Sequence, residues 1–367
     1  MNYLYFWYLN FLSNHNLPEI FGVITFPVVP FAVIAAAIII AVLFLVLFER
    51  KVLALFTQRK GPNRVGVWGI LQTVADAIKL LCKQNVDIKG SDRILFNLAP
   101  LLVFVPVMLL WGLIPYSSEF IFMGFSISAL LYLAIAVLPV IGIILAGYAA
   151  NNKFSLIGGI RSGAQIISYE LPIVFVMLSV VTLASSMNLK DIVFAQLNSV
   201  PPFGWFFFPC FIGFFIMFIC IVAELNRVPF DLPEAESELV AGYNTEYSGM
   251  RFALFFLAEY ALLFVMCAFM ATVFFGGFLP VTGKYISEML FDGNQFLPVF
   301  IYFEQALWLL FKTVILIFAV ILVRATLPRL SSKSLMNFSW YFMLPLSILN
   351  FIVVVIVKFL SEGGSVL

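Results

Sequence analysis

The carboxylates between residues 224 and 259 are the side chains of this sequence best placed to do chemistry. Apolar runs at about 203–223 and 252–275 flank them, so these acids lie close to hydrocarbon. Ionisable groups at membrane depth are energetically expensive and usually serve a function. The sequence therefore predicts a functional site built from acids, with these candidate members: Glu224, Asp231, Glu234, Glu236, Glu238, Glu246 and Glu259.

Prolines interrupt this acidic segment. Pro229 and Pro233 exclude a continuous helix, and non-helical backbone at membrane depth is tolerated only where it is buried in protein or lines a wet cavity. We therefore expect an acid-lined cavity. A solvated acidic loop would also fit the charge, but it does not explain the interleaved apolar residues Phe230 and Leu232.

Two acids are predicted to lie inside apolar helices. Glu170 follows Arg161 by nine residues and Glu259 follows Arg251 by eight, which places each carboxylate roughly 12 to 13 Å into the membrane. Together with Glu224 at the end of the fifth apolar run, they can form a column of ionisable groups. The alternative is that each is an isolated acid satisfied by a neighbouring hydroxyl, carbonyl or cation.

Composition indicates an integral membrane protein that is entirely α-helical. Of the 367 residues 63% are hydrophobic and only 11% are charged, far from the balance of a soluble domain. We predict a single membrane domain over 1–367 with eight transmembrane helices, each long enough for a hydrocarbon core of about 30 Å. The predicted spans are about 24–48, 95–116, 125–148, 164–186, 203–223, 252–275, 299–323 and 338–360.

The distribution of lysine and arginine predicts the orientation. Most of the twenty basic residues fall in the loops after the first, third, fifth and seventh spans, at 49–94, 149–163, 224–251 and 324–337. Basic loops face the cytoplasm or the mitochondrial matrix. Both termini are therefore expected on the outer side.

The long first inner loop contains an amphipathic segment from Trp68 to Lys83. Apolar residues lie on one helical face and Gln72, Asp76 and Lys79 on another. This pattern predicts an interfacial helix, which either anchors the loop on the membrane or forms part of a pocket.

Cysteine and histidine are too few for a redox centre. The chain has one histidine, His15, and four cysteines with no CxxC pair. Haem ligation, an iron–sulfur cluster and a histidine-rich metal site are not expected. The sequence predicts that this chain binds no redox cofactor or metal of its own.

The inner loops resemble those of the membrane subunit of respiratory complex I, the proton-translocating NADH:quinone oxidoreductase, that is numbered 1 in mitochondria and designated by the letter H in bacteria. The resemblance covers all four inner loops in order. It rests on ERKVLALFTQRKGPNRVG at 49–66, LQTVADAIKLLCK at 71–83, NNKFSLIGGIRSGAQIISYE at 151–170, AELNRVPFDLPEAESELVAGYNTEYSGMRF at 223–252, AEY at 258–260 and RATLPRL at 324–330.

The resemblance implies a function for the inner loops. They would form a chamber through which ubiquinone or menaquinone reaches the peripheral arm, and buried carboxylates would couple quinone reduction to proton translocation. The implied quinone-binding residues are Arg50, Asp76, Lys79, Arg227 and Arg324. The implied relay consists of Glu170, Glu224, Asp231, Glu234, Glu236, Glu238 and Glu259.

The resemblance also implies partners and a location. FMN and iron–sulfur clusters would belong to partner subunits, and quinone would be the substrate. The partners would be the peripheral-arm iron–sulfur and quinone-site subunits, small membrane subunits and antiporter-like subunits, within a lipid bilayer and without nucleic acid. The location would be the bacterial cytoplasmic membrane or, alternatively, the mitochondrial inner membrane.

The sequence departs from the family pattern in a few places. Thr73 and Gln84 replace the usual Pro and Glu, the segment 330–335 reads LSSKSL where an Asp-Gln-Leu segment is usual, and the first twenty residues have no counterpart. Two other functions stay open. One is the related membrane subunit of an ion-pumping hydrogenase or formate-oxidising complex, and the other is a secondary transporter, which usually has paired broken helices in two repeats.

Overall fold

The computed structural model describes residues 19–86, 88–197, 204–233, 239–281, 285 and 297–363. All regular structure in these residues is helical. Short 3-10 turns occur at Val67–Gly69 and Gly242–Asn244, and a π-helical turn, Phe338–Met343, connects the last two helices. The α-helices are α1 Glu19–Phe56, α2 Gln72–Cys82, α3 Arg93–Leu113, α4 Ser128–Ala136, α5 Leu138–Ala149, α6 Lys153–Ala184, α7 Leu189–Ala195, α8 Phe211–Glu224, α9 Gly249–Phe274, α10 Leu297–Thr326, α11 Ser332–Asn337 and α12 Leu344–Gly363.

Seven helical stretches in the described residues are long and apolar enough to cross a membrane. They are Phe31–Phe56, Arg93–Leu113, Ser128–Ala149, Lys153–Ala184, Gly249–Phe274, Phe300–Thr326 and Ser332–Leu360. The other predicted span, 203–223, corresponds to α8, an apolar helix of 14 residues. In the described residues the prediction of an all-helical protein with several membrane-spanning helices is thus confirmed, whereas the count of eight and the side of the termini stay predictions.

Helices α6 and α9 lie at the centre of the packing. Helix α6 contacts α5, α8 and α12, while α9 contacts α1, α2, α3 and α10. Helices α5 and α6 approach closely at Gly147 and Gly159: a Cβ atom on Gly147 would lie 2.7 Å from the Ser155 carbonyl oxygen. Small residues permit such close packing where lipid provides no hydrophobic drive between helices.

The amphipathic helix forms, but it is shorter at its beginning than the sequence predicted. Helix α2 begins at Gln72, and Trp68 belongs to the preceding 3-10 turn with a left-handed backbone, φ 58°. Gly69 causes the break, since its φ is 76° and a Cβ there would lie 2.2 Å from the Pro62 carbonyl oxygen. Helix α2 packs against α1 and α9, which places its polar residues beside both.

Helix α12 is held to α6 by polar contacts along its length. Ser339, in the turn before α12, donates to the Ser168 carbonyl, and the Asn350 amide donates to the Ser179 hydroxyl at 3.2 Å. Near the far end, Lys358 donates to Ser185. Hydrogen bonds are effective helix-helix contacts in an apolar setting, so these contacts attach a helix that buries little of its surface.

Candidate functional site

A cavity of about 500 Å³ lies between α1, α2 and α9. On α1 its wall is formed by Ile39, Val42, Leu43, Val46 and Arg50, residues that share one face of the helix. The distance from Ile39 to Arg50 along the helix axis is about 16 Å. The remaining lining residues are Thr73, Asp76, Ala77, Lys79, Leu80, Leu81, Lys83, Met250, Phe252, Ala253, Leu254, Phe256 and Leu257.

The charged groups of this cavity lie at the end near α2. Arg50 donates to the Asp76 carboxylate at 2.5 Å, and the Gln72 amide donates to the other Asp76 oxygen at 3.1 Å. Lys79 lies one turn further along α2 and also lines the cavity. A long apolar wall that ends in polar groups suits a ligand with an apolar tail and a polar head.

Glu49 lies next to Arg50 in the chain but is buried in the protein, with a side chain only 3% exposed. Arg227, 2% exposed, donates to one Glu49 oxygen at 2.5 Å. Arg324 donates to the other oxygen. The carboxylate therefore connects the end of α1 with the loop after α8 and the end of α10.

Arg227 also contacts α9. Its Nη2 atom lies 3.4 Å from the Glu259 carboxylate, and its guanidinium lies 4.6 Å from the centre of the Tyr260 ring. Burial alone would lower the pKa of Arg227, but Glu49 and Glu259 raise it above its ordinary value, so the guanidinium stays charged. We call Glu49, Arg227, Glu259 and Arg324 the Glu49 cluster; it contains two acids and two bases.

Two small cavities, of about 40 and 10 Å³, lie between the helices on the side of Glu259. The first is lined by Glu259, Asn226, Tyr243 and Glu224. The second is lined by Glu224, Tyr132 and Glu170. In the described part of the chain no ion pair involves Glu170 or Glu224. The four acids thus form a row in the order Glu49, Glu259, Glu224, Glu170.

The loop after α8 is positioned by a buried amide on α6. Gln165, fully buried, donates to the Ala223 carbonyl at 2.7 Å and to the Phe230 carbonyl at 2.8 Å. The Leu330 backbone N–H donates to the Pro229 carbonyl at 3.0 Å. These bonds hold the loop after α8 to α6 and to the segment after α10, and they keep Arg227 beside Glu49.

The residues predicted from sequence separate into groups. Arg50, Asp76 and Lys79 line the large cavity, whereas Arg227 and Arg324 surround Glu49 instead of lining it. Glu170, Glu224 and Glu259 lie in the row of acids. Asp231 lies in the loop after α8, close enough to act on Glu259 electrostatically. Glu234, Glu236 and Glu238 lie outside the described residues.

Sequence reasoning missed Glu49 and Gln165. Glu49 was assigned to the beginning of the inner loop because apolar residues give way to charge there, but α1 continues to Phe56. Its one sequence signal is its spacing from the buried residues Val42, Leu45 and Val52, which puts all four on the same helical face.

The cysteines and acids form no metal site in the described residues. No group of three His, Cys, Asp or Glu side chains there is arranged to hold a metal ion. All four cysteines are free thiols, and Cys82 is exposed while the other three are buried.

Comparison with known proteins gives the family. The profile of the family described as NADH dehydrogenase matches residues 29–355. The NADH-quinone oxidoreductase subunit of Brevibacillus brevis that is designated H is 44% identical over 88% of this chain and 90% of its own length. Its counterpart in Geobacillus kaustophilus is 44% identical over 86% of this chain and 89% of its own. The counterpart in Bacteroides fragilis is 41% identical over 93% of each. With similarity of this extent, the chain belongs to the NADH dehydrogenase family that includes these subunits of NADH-quinone oxidoreductase.

Proposed function

We propose that this chain is the membrane subunit of an NADH-quinone oxidoreductase that receives quinone in the cavity between α1, α2 and α9 and couples its reduction to proton movement. The names of the relatives support the enzyme, and they favour it over a hydrogenase subunit or a transporter. The observation that carries the proposal is the cavity itself, whose polar end lies one residue away from the Glu49 cluster.

The cavity has the chemistry that a quinone needs. Ile39, Val42, Leu43 and Val46 on α1 and Phe252 and Phe256 on α9 would contact the apolar tail. Arg50, Asp76 and Lys79 at the polar end would contact the head group as it passes toward a partner subunit. Arg227 and Arg324 would act on the quinone through Glu49, since neither lines the cavity.

The row of acids provides the coupling. A quinone that changes charge near Arg50 perturbs the Glu49 cluster, and Glu259 shares a cavity with Glu224, which shares a second cavity with Glu170. Proton transfer between carboxylates requires hydrogen-bond reach, directly or through water. Each of these two cavities is lined by a pair of acids and would provide the path between them, and Asp231, Glu234, Glu236 and Glu238 would connect the row to the inner surface.

The proposal includes the setting of the chain. The single membrane domain would lie in a bacterial cytoplasmic membrane with eight spans and both termini outside, in agreement with its basic inner loops and its bacterial relatives. The peripheral arm would dock on the inner loops and carry FMN and the iron–sulfur clusters. Antiporter-like and small membrane subunits would pack against the exposed apolar helices.

Two neighbouring isoleucines on α1 allow a matched test of the cavity. Ile39 lines it and Ile40 does not, although their exposed fractions are similar, 48% and 55%. Ile39→Trp adds a ring to the wall, so we expect the KM for a long-tailed quinone to rise about tenfold or more, equivalent to about 1.4 kcal/mol. Ile40→Trp should leave the KM unchanged.

The measurement is NADH oxidation by the intact complex in membranes with quinones of different tail length. Both variants should oxidise NADH normally with a water-soluble artificial acceptor, because that reaction bypasses the cavity. Equal KM values for Ile39→Trp, Ile40→Trp and the parent would show that quinone does not use this cavity.

A further inference from the structure

A proline leaves one carbonyl of α6 without its helical partner. Pro172 lies inside α6 and has no N–H to donate to the carbonyl four residues earlier, that of Ser168. Such a buried acceptor must find another donor, since leaving it unsatisfied is destabilising. The turn of α6 between Ser168 and Pro172 contains Glu170, the last acid of the row described above.

The replacement donor comes from the other end of the chain. The Ser339 hydroxyl, 1% exposed, donates to the Ser168 carbonyl at 2.7 Å. Two further bonds join α6 to this region: the Trp340 indole donates to the Ser168 hydroxyl at 3.3 Å, and the Tyr169 hydroxyl donates to the Leu335 carbonyl of α11 at 3.0 Å. We call these three hydrogen bonds the Ser168 contact.

The backbone around Ser339 is unusual in a way that fits this contact. Ser339 and Trp340 belong to the π-helical turn between α11 and α12. A π-helical turn accommodates an extra residue, changes the direction of neighbouring side chains and occurs frequently at functional sites. Both donors thereby face the interrupted turn of α6.

Glu170 follows a residue of this turn that is bonded to α11, and its own side chain faces a small cavity. Its neighbour Tyr169 is fully buried and bonded to Leu335, while Glu170 lines the small cavity that it shares with Glu224. Successive residues on a helix point about 100° apart. Fixing Ser168 and Tyr169 therefore fixes the direction in which the Glu170 side chain leaves the backbone of α6.

We propose that Ser339 is a positioning residue for Glu170, and that the Ser168 contact keeps this carboxylate directed at Glu224. The inference rests on the proposed role of Glu170 in proton coupling. Ser339 lies neither on the large cavity nor on the row of acids, so it acts only through the turn of α6.

The test uses two serines near and within α12. Ser347 is also fully buried, but its hydroxyl donates to the Leu344 carbonyl of its own helix. In the intact complex, Ser339→Ala should lower the kcat of quinone reduction about tenfold with an unchanged KM for quinone, the change expected from losing one buried hydrogen bond. Ser347→Ala should match the parent, and Ser339→Thr, which keeps the hydroxyl, should restore most of the kcat.

A double-variant cycle separates positioning from stability. If Ser339 acts through Glu170, Ser339→Ala should cause no further loss of kcat in a Glu170→Gln background, after correction for the amount of assembled complex. Independent, multiplicative losses would overturn the inference. If Ser339→Ala does not assemble, Trp340→Phe replaces it in the same cycle, since Trp340 is half exposed and contributes one bond of the contact.

The experiments distinguish failure of the proposed proton relay from failure of the positioning role of Ser339. Normal proton coupling in Glu170→Gln alone would contradict the proposed relay, whatever Ser339 does. A defective Glu170→Gln together with a normal kcat in Ser339→Ala would contradict only the positioning role.

Discussion

Glu49 carries two ion pairs in a place that is almost closed to water. The carboxylate binds Arg227 and Arg324, and only the Arg324 side chain is partly exposed. In such a setting each charge is tolerated because of its partners, and removal of one partner leaves an uncompensated buried charge. Glu49 is therefore the residue of the site whose substitution should have the largest effect on the inner ends of α1 and α10.

We predict that Glu49→Gln destabilises this end of the protein by about 3 to 5 kcal/mol. The amide has nearly the same shape as the Glu49 carboxylate but carries no charge. Glu259 is then the one remaining acid of the cluster beside two arginines. The expected result is less assembled complex and less quinone reduction, measured by native gels and by activity per assembled complex.

The same substitution at Glu119 serves as the control. Glu119 is 68% exposed and lies 3.9 Å from Lys190, a pair of little energetic value in water. Glu119→Gln should behave as the parent. Full assembly and activity of Glu49→Gln would show that the two arginines are compensated by other groups.

At the scale of elements, α9 is held at the end opposite the Glu49 cluster by a buried lysine. Lys312 of α10 donates to the carbonyls of Phe275, Gly277 and Leu279 at 2.7, 2.9 and 2.6 Å, and it lies 5.2 Å from the centre of the Trp205 ring. A cation at a helix C-terminus also interacts favourably with the helix dipole. The Lys312 side chain thus provides hydrogen bonds to three carbonyl groups of the turn after α9. It thereby fixes the helix that carries Glu259 and forms one wall of the cavity.

We predict that Lys312→Met lowers the thermal stability of the purified complex. The substitution keeps an unbranched side chain but leaves three buried carbonyls without this donor, which corresponds to roughly 1.5 to 3 kcal/mol. Lys190→Met, in a partly exposed pair with Glu119, is the control and should melt as the parent does. The measurement is thermal unfolding in detergent, and identical melting temperatures for the two variants would argue against this role of Lys312.

At the scale of the whole molecule, a natural cysteine reports the orientation. Cys82 at the end of α2 is exposed, while the other three cysteines are buried. The basic inner loops predict that Cys82 lies on the cytoplasmic side and the loop that contains Glu119 on the outer side. Each side therefore offers one position that a membrane-impermeant reagent can reach.

We predict that an impermeant maleimide labels Cys82 in inside-out vesicles from which the peripheral arm has been washed, and not in right-side-out vesicles. Glu119→Cys, in a Cys82→Ser background, should give the opposite pattern, and Cys82→Ser alone gives the background signal. Labelling of Cys82 from the outer side would reverse the proposed orientation and would place the cavity on the wrong side for a cytoplasmic partner.

Local patterns account for what could be predicted from the sequence. Apolar runs located the helices and the amphipathic pattern located α2, whereas Arg50, Asp76 and Lys79 were assigned through the family resemblance and lie together on one cavity. Glu49 was missed because charged residues begin there, with Arg50 and Lys51 next in the chain, and this change was interpreted as the end of the first helix, whereas α1 continues to Phe56. The bond between Ser339 and Ser168 joins residues 171 positions apart and could not be predicted from either segment alone.

The net charge of the Glu49 cluster determines how far its electric field extends through the protein. When both carboxylates are ionised, they balance the two guanidinium groups and the net charge is zero, so the field of the cluster falls off steeply and is weak at the more distant acids. Protonation of one carboxylate, or movement of one arginine out of the cluster, gives the cluster a net charge of one unit. The electric field of a net charge extends much further than that of a neutral group of charges. At 10 Å and an effective dielectric constant of about 20, a unit charge acts on another with about 1.7 kcal/mol, which changes a protonation equilibrium more than tenfold.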